Sequence, residues 1–159
     1  MCIRDRFYLL SYPAHADHPT AMVRFADLEG LKLGSVETCN QRTIYKAIYR
    51  DGLQSCQLVM GFTLLEPGSN WNTMPPHTHM RRSEVYLYFD LDPAHRVVHL
   101  MGPPQETSHL LVADRQVVLS PGWSIHAGVG TRNYTFCWGM GGENQAYDDM
   151  DIAPIAELR

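Results

Sequence analysis

Three histidines and one glutamate carry the chemistry that this sequence can do. They stand in His77-Thr-His79-Met-Arg-Arg-Ser-Glu84 and, further along the chain, in Pro121-Gly-Trp-Ser-Ile-His126. Imidazole nitrogens and a carboxylate are donors that hold a borderline divalent metal, and a set without a thiolate favours a centre with open positions over a closed structural one. Residues two apart in a strand project from the same face, so His77 and His79 can aim at one ion from adjacent positions. Glu84 has the opposite parity and would point away along an unbroken strand. A bulge or tight turn within residues 80–83 is therefore required to bring it inside. His-x-His alone is more often a pair of ordinary polar strand residues; the acid and the later His126 turn it into a candidate ligand set of His77, His79, Glu84 and His126. The set suits Zn²⁺, Fe²⁺, Mn²⁺, Co²⁺ or Ni²⁺, and the sequence does not choose among them.

Such a centre needs a rigid β framework to position it. Stretches rich in β-branched and aromatic residues recur at 43–49, 56–65, 84–89, 96–101, 109–113, 116–119, 126–129 and 134–140, separated by Gly, Pro, Asp and Asn. An Asp51-Gly52 turn joins the first two, and Pro67-Gly68 closes the second. Regular short strands predict an all-β sandwich or barrel. Helical patterning is confined to 25–29 and 152–158. Phe7-Tyr-Leu-Leu-Ser-Tyr predicts a strand, 13–19 a polar loop and 39–42 a polar turn. This gives 7–42 as an N-terminal strand and connecting segment, 43–159 as the metal-binding barrel, and 1–6 as foreign or disordered sequence. Within 84–89, Glu84, Tyr86 and Tyr88 share one face and Val85, Leu87 and Phe89 the other, which puts both tyrosines in the neighbourhood of the metal.

The 159 residues, 45% of them hydrophobic, suffice for one core and not for two. The net charge of −4, with no Lys/Arg run longer than Arg81-Arg82, argues against a general nucleic-acid or membrane-surface role. No apolar run approaches the roughly 18 residues of a membrane span. Cys2, Cys39, Cys56 and Cys137 are scattered without zinc-ribbon spacing and read as free thiols of a reducing compartment, with Cys56 and Cys137 filling the core. The cytoplasm is the expected location.

His-x-His-x4-Glu followed by Pro-x-x-x-x-His on an all-β chain resembles the cupin superfamily, whose fold is a double-stranded β-helix of jelly-roll type. The longer strings Asn72-Thr-Met-Pro-Pro-His-Thr-His, Arg81-Arg-Ser-Glu-Val-Tyr-Leu-Tyr-Phe, Ser120-Pro-Gly-Trp-Ser-Ile-His-Ala-Gly-Val-Gly-Thr and Trp138-Gly-Met-Gly-Gly-Glu-Asn-Gln-Ala-Tyr-Asp-Asp-Met-Asp closely resemble the 5-dehydro-4-deoxy-D-glucuronate isomerase family of pectin breakdown. The resemblance runs from about residue 7 to the end and implies a C-terminal portion of a longer protein, the family's N-terminal β-sandwich half being absent. It also implies zinc, one ion per chain, on His77, His79, Glu84 and His126, and a homo-oligomer, a hexamer.

The implied reaction is an aldose–ketose isomerisation of a small sugar acid. A Lewis acid must polarise the oxygens at C1 and C2, and a residue within hydrogen-bond reach must carry hydrogen between those carbons. Glu106, Tyr86 and Tyr88 are the candidates for that catalytic role. His99 and His109 are candidate substrate contacts, although strand-end histidines are usually solvated. The substrate carboxylate calls for a guanidinium, and Arg81 and Arg82 lie nearest the metal in sequence, with Arg42 and Lys46 in reserve. Two rival readings use the same ligands: an iron cupin dioxygenase, and a non-catalytic cupin that binds a uronate.

Overall fold

A computed structural model describes residues 6–143 and 146–159. The stretch expected to be foreign or disordered, residues 1–6, lies, apart from Arg6, outside the described residues. Among those described, the strands in chain order are β1 (Gly30–Leu33), β2 (Arg42–Ile48), β3 (Leu58–Leu65), β4 (Trp71–Asn72), β5 (His77–Thr78), β6 (Arg82–Phe89), β7 (Val97–Gly102), β8 (Ser108–Val112), β9 (Val117–Ser120), β10 (Ile125–Gly130), β11 (Thr135–Gly142) and β12 (Asp151–Ile152). The helical patterning at 25–29 and 152–158 resolves into single 3₁₀ turns at Phe25–Asp27 and Ile155–Glu157.

The strands form a six-stranded sheet ordered β1-β2-β3-β11-β6-β9, a four-stranded sheet ordered β4-β10-β7-β8, and the short pair β12-β5. All the pairings are antiparallel, and the whole is an all-β cupin jelly roll. The alternation along β3 and β6 shows why the sequence chooses strands: every second residue is buried and those between are partly or fully solvated. β11 lies between β3 and β6, with Met140, Trp138 and Phe136 facing Glu84, Tyr86 and Tyr88 in register. Those residues other than Glu84, with Ile44, Val59, Val97 and Tyr134, form one continuous core.

Two stretches differ from expectation. Residues 7–12 form no strand, because β11 is already hydrogen-bonded on both sides and offers them no edge. They instead run as an irregular arm, with Phe7 92% and Leu9 87% exposed. Leu10 and Tyr12 seat over Gly139 and Gly141, where a Cβ would stand 2.3 Å from each side chain, so two missing side chains make the trough the arm occupies. Cys56 accepts from Ala16 N at 3.3 Å and tethers the far end of this arm; it is half-buried, whereas Cys137 fills the core as expected. The second difference is β1, whose four residues are all exposed and therefore carry no alternation to announce a strand.

Candidate metal centre

Residues 80–81 form a turn between β5 and β6, and this turn resolves the parity problem of Glu84. His77 lies on β5, His79 just beyond it, Glu84 on β6 and His126 on β10, all four buried, with one donor atom from each within 4.8 Å of every other. His126 Nε2 is 2.8 Å from Glu84 Oε2 and 3.1 Å from His77 Nε2, and His79 Nε2 is 3.1 Å from Glu84 Oε2. Neighbouring donors held 2.0–2.2 Å from one ion stand about 3 Å apart, so these three contacts have the spacing of adjacent positions in a coordination shell.

The tautomers make the same point. His77 Nδ1 is 3.0 Å from Pro75 O, and His79 Nδ1 is 2.7 Å from Asp149 O. A carbonyl can only accept, so each Nδ1 carries the proton and donates, leaving the Nε2 lone pair aimed at the centre. His77 and His79 held this way turn their Nε2 atoms toward His126 and Glu84, where one shared cation would satisfy all four donors. Burial, followed by the nearby His126, lowers the His77 imidazole to about 4 and keeps it in the neutral, ligating form. Burial pushes the Glu84 carboxyl upward, but His126 and His79 outweigh it and hold it well below the usual carboxylate range. The residues present therefore fit a divalent metal.

The cluster borders a cavity of about 210 Å³ walled by Phe136, Trp138, Met140, Tyr86 and Tyr147, with Arg42, Asn72 and Thr73 among its polar lining. Tyr86 meets Thr73 Oγ1 at 2.6 Å. Burial, reinforced by ionised Glu84, holds the Tyr86 phenol well above its ordinary pKa, and it stays protonated.

The remaining sequence candidates are dispersed. Tyr88 is buried in the aromatic core, with its hydroxyl 2.6 Å from His99 Nδ1, and neither residue lines the cavity. Glu106 and His109 are exposed, on the β7–β8 turn and on β8. Arg81 is exposed in the turn before β6 and borders a separate surface groove with Trp123. Arg82 is buried, but its guanidinium donates to the carbonyls of Ala146, Tyr147 and Asp149 and so pins the chain that orients His79. A guanidinium saturated by backbone carbonyls is a support for the centre and has little left for a ligand. Sequence reasoning missed the Pro75 and Asp149 carbonyls, which no side-chain motif can announce. It also missed Tyr147, which packs on Trp138 with ring centroids 5.3 Å apart and sits 4.1 Å beneath the Lys46 ammonium.

Residues 4–155 match the KduI/IolB family. A 4-deoxy-L-threo-5-hexosulose-uronate ketol-isomerase of Kineococcus radiotolerans is 60% identical over 97% of this chain and 55% of its own length. One of the same name from Caldicellulosiruptor bescii is 54% identical over 97% of this chain and 56% of its own length. The chain thus spans about half the length of the curated relatives it matches. Among solved structures, an IolB-like protein of Salmonella typhimurium superposes with a TM-score of 0.65 at 16% identity, over 85% of this chain and 54% of that one. A cupin-2 domain of Rhodospirillum rubrum gives 0.53 at 14% identity, over 89% and 86%.

Proposed function

Because the chain belongs to the KduI/IolB family, we propose that it forms the metal-bearing part of an aldose–ketose isomerase that converts 5-dehydro-4-deoxy-D-glucuronate into 3-deoxy-D-glycero-2,5-hexodiulosonate. The observation that carries this reading is the convergence of His77, His79, Glu84 and His126 at the edge of a cavity fit for a small molecule. Zinc is the proposed ion, with Fe²⁺, Mn²⁺, Co²⁺ and Ni²⁺ as competitors for the same donors. A divalent ion bound there would supply Lewis acidity to the neighbouring oxygens of a hydroxy-aldehyde.

The chain's own residues do the rest. Tyr86 and Thr73 hold two hydroxyl protons between them and spend only one on their mutual bond, so one remains to be donated to a substrate oxygen that gains charge. A phenol kept protonated by burial suits that donor role better than abstraction of a proton from carbon. Phe136, Trp138 and Met140 present apolar walls that limit water beside the reacting atoms. The exposed side chains of Leu111, Leu119 and Trp123 support subunit contacts, and we place the whole protein in a homo-oligomer, a hexamer. A cytoplasmic location accords with the free thiols Cys39, Cys56 and Cys137, and no helix among the described residues is long and apolar enough to cross a membrane.

Elemental analysis joined to an assay of 5-dehydro-4-deoxy-D-glucuronate conversion, before and after chelation and metal return, tests this reading. The expected result is about one metal per chain and turnover that disappears and returns with it, under nitrogen as in air. Metal retention without turnover, in this chain and in one extended to the relatives' length, would overturn the isomerase assignment. A strict need for O₂ would point to oxygenase chemistry instead.

A further inference from the structure

Besides the metal donors, the cavity lining holds two buried polar atoms of opposite character, neither with a protein partner: Arg42 Nε, a cationic donor, and Asn72 Oδ1, an acceptor. Arg42 stands at the start of β2 and spends one N–H on Asn40 O at 2.9 Å and another on Met74 O at 3.4 Å. Among the described residues it makes no ion pair within 4.0 Å. It also borders an outer groove with Glu66, whose carboxylate takes the Thr43 hydroxyl at 3.4 Å. Asn72 donates through Nδ2 to Thr73 Oγ1 at 3.0 Å, which turns Oδ1 away from that bond.

A lone buried donor or acceptor costs roughly 1–3 kcal/mol, and bridging water commonly removes that cost. Water does not remove the charge of Arg42. A half-buried guanidinium with an unpartnered Nε, no ion pair among the described residues and an adjacent cavity calls for an anion, and a carboxylate matches the Nε edge in two parallel hydrogen bonds. The neighbouring Asn72 oxygen and the surplus hydroxyl proton of the Thr73–Tyr86 pair call for a hydroxyl or carbonyl beside that carboxylate.

We infer that Arg42 and Asn72 form the carboxylate-recognition pole of the cavity, so that a sugar acid lies across it with its carboxylate on Arg42, an adjoining hydroxyl on Asn72 and its opposite end at His77, His79, Glu84 and His126. This rests on the isomerase reading for the reacting end alone. The anion pole stands on the uncompensated charge of Arg42.

Calorimetric titration of the metal-replete chain with D-glucuronate and with D-glucose tests the two ends separately. Arg42→Gln loses on the order of 10- to 100-fold in glucuronate affinity, with glucose unaffected. Arg42→Lys recovers part of that loss. Asn72→Asp sets a like charge beside the pole and costs about 10-fold or more; it decides the matter if Arg42→Gln does not fold. In the isomerase assay the Arg42→Gln loss falls mainly on KM. Undiminished glucuronate binding in both Arg42→Gln and Asn72→Asp, with metal content and melting curve as in wild type, overturns the inference, as does a wild-type chain that binds no better to glucuronate than to glucose. Arg42-dependent binding of glucuronate by a chain without turnover keeps the pole and removes the isomerase reading.

Discussion

Glu84, Tyr86 and Tyr88 share one face of a single strand, yet they stand in two different interiors. Around Tyr88 the barrel is filled with aromatic rings, and the hydroxyls find protein partners: Tyr88 on His99 Nδ1, and Tyr134 on Gly128 O at 2.8 Å. Around Glu84 the polar atoms converge, His126 and His79 on Glu84 Oε2 and Tyr86 on Thr73, while Arg42 Nε and Asn72 Oδ1 in the same cavity lining are left without a protein partner. The strand supplies identical geometry to both regions. What separates the two regions is the kind of group left over: a single ring nitrogen, His99 Nε2, in the aromatic interior, against Arg42 Nε, Asn72 Oδ1 and four converging donors around the cavity.

That contrast can be broken by substitution. The largest effect is expected from His79→Ala, which removes a donor: metal content falls from about one per chain to near zero and turnover drops on the order of 10⁴-fold, read by elemental analysis and initial rates. Tyr88→Ala strikes the other half and is expected to cost about 3–5 kcal/mol in urea unfolding, with metal per folded chain unchanged; loss of the metal as well would show that the two interiors are one. Arg82→Met leaves all four donors in place but frees the chain that holds His79, so metal affinity should fall about 10- to 100-fold in a competition with a chelator. The smallest effect concerns pH. Burial, and then His126, holds the His99 imidazole at about 3, against about 6.5 in an unfolded chain. Unfolding therefore takes up a proton between those values, so this contribution to stability is complete above about pH 6.5 and is lost as pH falls toward 3. His99→Gln should flatten that part of the metal-free stability curve; an unaltered slope would free His99 of any share in it.

The donor set was legible because its logic is local. Parity placed His77 and His79 together, and the same parity demanded the turn that the structure puts at 80–81. The strands from β2 onward were legible through alternation, whereas β1, exposed at all four positions, had none to show. Residues 7–12 carried a strand's composition but found no free edge on β11, and edge availability is a property of the assembled sheet. The two arginines show the limit most clearly. Proximity in sequence favoured Arg82, whose guanidinium is spent on carbonyls more than sixty positions away, while Arg42 reaches the cavity from a different strand. Local pattern tells which residues can do chemistry, but long-range hydrogen bonds decide which of them are already occupied.

The pairing of β12 with β5, and the Asp149 carbonyl that takes the His79 proton, also order events in time. A growing chain presents His77, His79 and Glu84 to the solvent well before it presents His126, and all four before the segment that fixes the tautomer of His79. Residues 149–152 supply the carbonyl that orients His79 and the strand that pairs with β5, so the geometry of the donor set depends on a segment about seventy positions from His79.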